Sequence, residues 1–335
     1  MKEIIIENKD ANQRFDKFLK RYLINATPSF IYKMLRKKNI TLNGKKATGN
    51  EVLNNNDVVK IFFQEETLHK FTTSEIVPDL TKEFEQAYES LKGITVLYEN
   101  EHVIFLSKPA GVLTQKAKEE DLSLNEWLIG YLLHKNVVTA ESLLSFKPSV
   151  LNRLDRNTSG LVLCGKSLLG SREISKILKD RSLDKYYRLY VNGKVNHNAI
   201  KKAYLYKNEK NNKVIIKEKL QKTDKEKDFD FIQTEYSVLD ANPKYSYLEA
   251  KLITGKTHQL RAHFAYLGYP IVGDRKYGKP IDKIPYQLLH AYRIVFPEMP
   301  DALKDLSGKE FVCPLPKLFT KFEESYYADL EFQRS

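Results

Sequence analysis

Three separated stretches of the chain are rich in side chains that recognise or react. In Asn152-Arg153-Leu154-Asp155-Arg156-Asn157-Thr158-Ser159-Gly160 one carboxylate stands between two guanidiniums. By itself that spacing describes a surface turn with ion pairs. In Asp184-Lys185-Tyr186-Tyr187-Arg188-Leu189-Tyr190-Val191 tyrosines and bases alternate, which suits a half-exposed strand. The third stretch, from Leu252 to Gly278, is the densest and contains Lys256, His258, Leu260, Arg261, His263 and Asp274. Leu260, Phe264 and Leu267 make an apolar stripe at helical spacing, Gly268 stops the helix, and His258 and Arg261 share a neighbouring polar face. His258 and His263 are five residues apart, about 140° around a helix, so one metal cannot easily be reached by both, unlike an i, i+4 pair. Hydrogen bonding at the helix end is their expected use.

A fourth stretch is deceptive. Gly160-Leu-Val-Leu-Cys-Gly165-Lys166-Ser167 satisfies the phosphate-loop pattern GxxxxGK[ST] letter for letter. A loop that wraps its amides around a phosphate needs small or flexible residues between its glycines. Here they are Leu, Val, Leu and Cys, so the segment reads as a strand with a turn at each end. Nucleotide hydrolysis is thereby a minor alternative.

The elements that must position these residues fall into two groups. At the N-terminus Phe15, Phe18, Leu19, Tyr22 and Leu23 recur at helical spacing, and Pro28 opens a second helix carrying Ile31, Met34 and Leu35. Ile40-Thr-Leu42, the turn pair Asn43-Gly44 and Lys45-Lys46 spell a type I′ hairpin, and Asp57 to Phe63 supplies a later strand. Residues 65–92 show no strong period and read as an acidic linker. From Gly93 onward apolar strands alternate with turns and short helices (ITVLYEN, HVIFLSKP, LVLCG, YYRLYVNG, YSYLEAKLI, AYRIVF), which predicts an α+β domain with a mixed or antiparallel sheet. The expected division is therefore 1–64, 65–92 and 93–335. Residues 201–230, with ten Lys and six acidic residues, read as a solvated, hairpin-like excursion with modest affinity for phosphates.

Charge supports this division. The 335 residues carry a formal charge of +12. Residues 1–64 hold thirteen basic and six acidic side chains, whereas residues 65–92 hold three and seven. A basic unit of this size points to a polyanion, most simply nucleic acid. No apolar run approaches the roughly 18 residues of a membrane span, and MKEIIIENKD is too charged for a signal peptide. A soluble, cytoplasmic protein with no membrane partner is expected. Cys164 and Cys313 lie far apart and form no CxxC pattern, which leaves reduced thiols as the expectation.

The head, QRFDKFLKRYL followed by IYKMLRKKNITLNGKKA and NNNDVVKIFF, resembles the S-four-like RNA-binding domain over about residues 11–64. The resemblance implies that the second helix and the turn after it face RNA, with Lys33, Arg36, Lys37 and Lys45 as phosphate contacts; a basic mini-domain binding a protein is the alternative. From about Gly93 to Lys321 the chain resembles the RluA-type pseudouridine synthases, through NRLDRNTSGLVL, TGKTHQLRAHFAYLGYPIVGDRKYG and LLHAYRIVFP. The pairing of head and second unit looks most like members that act on large-subunit ribosomal RNA. The resemblance implies an α+β catalytic domain that isomerises uridine without cofactor or metal. It makes Asp155 the carboxylate that attacks the sugar or uracil or removes a sugar proton. Arg261 keeps that carboxylate ionised, Tyr187 stacks on the uracil and helps remove the carbon 5 proton, Leu260 packs on the other side, and Arg153 fills the space left by the flipped base. Two positions depart from the family pattern, which commonly has His at Asn152 and Arg at Lys256. No obligate protein partner is evident, and a monomer is expected. A non-catalytic RNA-binding assembly factor built on the same folds is the competing reading.

Overall fold

The computed structural model describes residues 1–8, 10–72, 77–208, 213–279 and 284–332. The N-terminal part comprises β1 (Lys2–Ile5), α1 (Phe15–Tyr22), α2 (Pro28–Arg36), β2 (Ile40–Leu42), β3 (Lys45–Lys46) and β4 (Val58–Ile61). Its sheet runs β1-β4-β2-β3. Pro28 stands at the first position of α2, and Thr27 caps that helix by accepting a hydrogen bond from the Phe30 amide at 3.3 Å. Asn43 and Gly44 have φ of 52° and 72°, the two left-handed positions of a type I′ turn. Phe15, Phe18, Leu19, Ile31, Leu35 and Ile40 are buried together beneath this sheet.

Residues 65–90 differ from the linker expected of them. They form α3 (Glu65–Thr72) and α4 (Val77–Ser90). Phe84, Ala87, Tyr88 and Leu91, spaced i, i+3, i+4, i+7, press α4 onto α5 (Leu124–His134). The helices approach so closely that a Cβ at Gly130 would run into the Phe84 carbonyl. Glu85 and Glu89, on the outward side of α4, are exposed.

The larger part continues with β5 (Thr95–Glu99), β6 (Val103–Lys108), α5, α6 (Ser142–Ser145), β7 (Ser149–Val150), β8 (Ser159–Gly165), α7 (Leu168–Lys179) and β9 (Asp184–Asn192). It ends with β10 (Ala199–Asn208), β11 (Lys213–Lys217), β12 (Phe229–Ala241), β13 (Tyr245–Leu252), α8 (Gln259–Tyr266), β14 (Leu289–Val295), β15 (Glu310–Val312) and α9 (Lys317–Phe332). Among the described residues the sheet has the order β11-β10-β12-β13-β9-β14-β8-β6-β5, with β15 beside β14 and β7 beside β8. All its pairs are antiparallel except β14 with β8, so the sheet is mixed and the fold is α+β. No helix among the described residues is long and apolar enough to cross a membrane. The head leans on the larger part through Ser145, whose hydroxyl donates to Asp10 Oδ2 at 3.1 Å, and through Arg172, which donates to the Asn12 carbonyl.

The phosphate-loop look-alike is β8, buried along its whole length. Gly160, at φ 121°, lies flat against the backbone of Ala291, which leaves no room for a side chain. Lys166, the nominal phosphate lysine, pairs with Glu99 at 2.5 Å and with the Asn100 carbonyl at 2.8 Å.

β8 and β14 are also joined by side chains. His290 Nδ1 lies 2.8 Å from Ser159 Oγ and Nε2 lies 3.1 Å from the Cys313 carbonyl. A carbonyl only accepts, so Nε2 carries the proton and Nδ1 accepts from Ser159. Burial pushes the pKa of His290 down to about 4, with the Cys313 carbonyl opposing. In the unfolded chain His290 takes up a proton near pH 6.5. Its contribution to stability is therefore fully present above that pH and is lost as pH falls through about 4, amounting to about 3 kcal/mol. Urea unfolding of wild type and His290→Gln at pH 7, 5 and 4 checks this. The expected result is a shallower acid loss in the variant; parallel curves would mean that His290 does not resist protonation in the fold.

Candidate active site

Asp155 opens a turn whose first carbonyl accepts from the Thr158 amide at 3.0 Å, a position that suits Asp. The turn is held from behind by groups absent from the sequence motifs. Lys108, at the end of β6 and fully buried, donates to the carbonyls of Pro109, Val112 and Arg156 at 3.0, 2.7 and 3.0 Å. Three acceptors match the three protons of an ammonium. Burial works against that charge and pulls the pKa down to about 7, while the nearby Asp155 carboxylate raises it. Thr114 grips the residue before Asp155 from both sides, donating to the Leu154 carbonyl at 2.8 Å and accepting from its amide at 3.1 Å. Asn152, where the family commonly has His, accepts from the Leu163 amide at 2.7 Å and so ties the turn to β8.

Arg261 projects from α8 between two carboxylates. Its Nη1 is 2.7 Å from Asp155 Oδ2, and its Nε and Nη2 are 2.7 and 3.0 Å from the two oxygens of Asp274. Asp274 is fully buried; burial pushes its carboxyl up, but the Arg261 guanidinium and the amides of Lys276 and Tyr277 outweigh this and hold it below its ordinary value. Burial likewise pulls Arg261 down, and the two carboxylates more than reverse it. Asp155 Oδ2 is thus engaged, while Oδ1 bonds to no described side chain.

His258 closes one side of Asp155. It sits at the N-cap of α8 with φ 54°, a left-handed conformation that costs a non-glycine residue about 1 kcal/mol. Its Nδ1 is 2.9 Å from the Tyr277 hydroxyl, which accepts from the Val214 amide at 3.1 Å. In the neutral ring one proton bridges the tyrosine oxygen and Nδ1, and Nε2 lies 3.8 Å from Asp155 Oδ2. Burial lowers the pKa of His258, which favours this neutral form. His263 turns to Thr234 Oγ1 at 3.1 Å, so the two histidines do not converge.

Asp155, Arg261, His258, Thr114 and Asn152 line a cleft of about 980 Å³. Tyr187 on β9 and Leu260 on α8 are buried in its wall, Arg153 is exposed at its margin, and Lys185 and Gln287 also line it. Asp155, Tyr187, Arg261, Arg153 and Leu260 are thus brought to one cavity. Burial pushes the Tyr187 phenol well above its ordinary pKa, and the Asp155 charge adds to this. Lys256, the second departure from the family pattern, pairs with Asp230 on β12 at 2.6 Å. Lys33, Arg36, Lys37 and Lys45 lie elsewhere, all exposed on α2 and β3 of the head or next to them. Lys108, Thr114 and the Asp274 side of the ion pair were missed as site residues. The available signal was a lysine closing an apolar strand just before Pro, and a lone Asp between Gly273 and Arg275.

Similar sequences and a similar fold occur among known proteins of one family. The family model described as RNA pseudouridylate synthase matches residues 102–266. The ribosomal large subunit pseudouridine synthase C of Rickettsia felis is 32% identical over 332 residues, covering 96% of this chain and 99% of that protein. The ribosomal large subunit pseudouridine synthase D of Borreliella burgdorferi is 31% identical over 246 residues, covering 70% of this chain and 69% of that one. In fold, the structure of human RNA pseudouridylate synthase domain containing 4 superposes with a TM-score of 0.54 at 18% identity, covering 71% of this chain and 94% of that chain. The chain belongs to the RNA pseudouridine synthases, isomerases that act on RNA.

Proposed function

We propose that this enzyme isomerises uridines of large-subunit ribosomal RNA and that Asp155 is its reacting carboxylate. The observation that carries the second part is the bridging of Asp155 Oδ2 by Arg261, which leaves Oδ1 as the oxygen directed at substrate. The reaction breaks the bond between nitrogen 1 and the sugar, turns the uracil, joins carbon 5 to the sugar and moves the carbon 5 proton away. An ionised carboxylate serves either as nucleophile or as base toward the sugar. Tyr187 and Leu260 form the two apolar walls between which the uracil lies. The phenol of Tyr187, its pKa raised by burial, is protonated at rest; it stacks on the uracil and its oxygen helps relay the carbon 5 proton to water, while nitrogen 1 takes up a proton so that the isomerisation balances. Flipping the uridine out of its helix costs about a few kcal/mol, and Arg153 is placed to occupy the gap. The substrate assignment rests on the relatives named above, two of which carry the large ribosomal subunit in their names.

The head, residues 1–64, acts in this reading as an S-four-like RNA-binding unit that positions the substrate. What supports it is the two-helix and hairpin arrangement together with the exposed Lys33, Arg36, Lys37 and Lys45.

Asp155→Asn keeps the shape of the side chain and removes its charge. Release of label from carbon 5 of uridine in transcribed large-subunit RNA is expected to fall more than a hundredfold, with RNA affinity within about a few-fold. Turnover above a hundredth of wild type would exclude Asp155 as the reacting group.

Changing Lys33, Arg36, Lys37 and Lys45 together to Gln (or Lys33 and Lys45 alone) in the full chain is expected to weaken large-subunit RNA binding. Removing one lysine or arginine from a phosphate lowers the magnitude of the slope of log affinity against log salt by about 0.7 to 0.9. RNA titration at several salt concentrations measures it; unchanged slopes would assign the head to another partner.

A further inference from the structure

The sheet ends at β10, β11 and β12, and the two faces of this end differ. The inner face, with Ala203, Leu205, Val214, Ile216 and Ile232, is buried against Ala262 of α8. Lys207 on the same side lines the cleft, and the Tyr277 hydroxyl pins the Val214 amide. The hairpin is therefore a wall of the active site and not the solvated excursion that its lysines suggest.

The outer face carries four aromatic rings in two cross-strand pairs. Tyr204 is directly opposite Phe231 and Tyr206 opposite Phe229. Their ring centroids lie 5.9 and 5.5 Å apart. Phe231 is 44% exposed, Ile215, opposite Tyr206, is 51% exposed, and Tyr204, Tyr206 and Phe229 are half-buried. Lys217 Nζ stands 5.2 Å above the Phe229 ring and pairs with Asp224, while Lys202, exposed beside Tyr204, has no ion pair among the described residues. The acidic group on this face, Glu235, lies one step inward, opposite Ile200. Exposed apolar surface of this kind marks a binding site. Aromatic rings on an open sheet flanked by lysines suit unpaired bases, which stack on the rings while their phosphates meet the charges. A protein partner would be an equal match for the rings alone, but Lys202 stands exposed beside them with no ion pair among the described residues, and Lys217 stands over Phe229; these cations complement a polyanion.

We propose that the outer face of β10, β11 and β12 is a second RNA-binding surface, which stacks one or two unpaired bases of the RNA strand leaving the cleft across the β11 edge. It rests on the family's RNA substrate and adds a contact outside the cleft. Tyr204 and Tyr206, two residues apart on one strand, are spaced by about 6.6 Å and receive successive splayed bases.

The test uses the full chain, a short fluorescein-labelled oligouridylate and a duplex RNA of equal length. Tyr204→Thr combined with Phe231→Thr, which puts β-branched residues that favour strands at both positions, is expected to weaken single-strand binding about tenfold with little change for duplex. Lys202→Gln is expected to lower the magnitude of the single-strand salt slope by about 0.7. Equal single-strand affinity, or an equal loss for single strand and duplex, overturns the proposal. If the double variant fails to fold, photocrosslinking of the unaltered protein to an oligonucleotide containing 4-thiouridine decides: adducts mapped to Tyr204, Tyr206, Phe229 or Phe231 support the surface, and their absence overturns it. Loss of a self-associated form in the variant, with RNA binding intact, would assign the face to a second copy of the chain. Label release from carbon 5 by the unaltered enzyme is measured alongside. Its absence would count against the isomerase reading, whereas its presence with unaltered binding in the variant counts against this surface alone.

Discussion

The site depends on one guanidinium shared by two carboxylates. Arg261 is nearly buried and Asp274 is fully buried, so neither charge is well solvated. Removing one partner from such a pair costs about 3–5 kcal/mol, because the other charge remains unpaired. Asp274 therefore does more than neutralise. It takes up Nε and Nη2, fixes the plane of the guanidinium, and leaves Nη1 as the group that meets Asp155. Asp274 is itself oriented by the amides of Lys276 and Tyr277, so the segment after α8 sets the direction from which Asp155 is approached.

The other half of the problem is to hold a turn still at the mouth of an open cleft. Turn backbones lack the ladder of hydrogen bonds that stiffens a strand, and this one is stiffened by side chains instead. Lys108 gathers three carbonyls, one of them on Arg156, immediately after Asp155. Thr114 holds Leu154, immediately before it. Behind them Gly160 lets β8 and β14 touch backbone to backbone, and the Ser159–His290 contact ties the two strands where they run parallel. The carboxylate is thus positioned by the residues on either side of it as well as by the guanidinium in front.

Features governed by local chemistry were legible in the sequence. The Asn43-Gly44 turn, the Pro28 helix start and the stripe of Leu260 and Phe264 all have short-range causes, and β8 was separable from a phosphate loop because its intervening residues are apolar. Features that depend on what packs against a segment were not. Phe84, Ala87, Tyr88 and Leu91 form a stripe of only four residues amid acidic ones, and its partner, α5, lies some forty positions away. Lys108 looked like any lysine because two of its acceptors are carbonyls of the loop that follows it and the third, on Arg156, is 48 positions away. The strand order was equally hidden, since the ladder joining β14 to β8 and β9 spans more than a hundred residues. Asp155, Tyr187, Arg261, Arg153 and Leu260 were found through resemblance to a family; their spacing along the chain does not by itself bring them together.

Isomerisation requires that the detached uracil be neither lost nor replaced by hydroxide, so water must be kept from the sugar. Yet the cleft is large, and much of its margin is polar, with Arg153, Lys185, Lys207, Lys256 and Lys276 around it. Side chains alone do not seal such an opening. The basic margin is suited to a wall that arrives with the substrate: the sugar and phosphates flanking the target complete the enclosure, their charges met by the lysines. On this argument tight substrate positioning and exclusion of water are one requirement. In the proposed reading the basic head and the β10–β11 hairpin serve the chemistry by pressing the RNA onto the cleft, although neither contributes a group to the Asp155–Arg261–Asp274 arrangement.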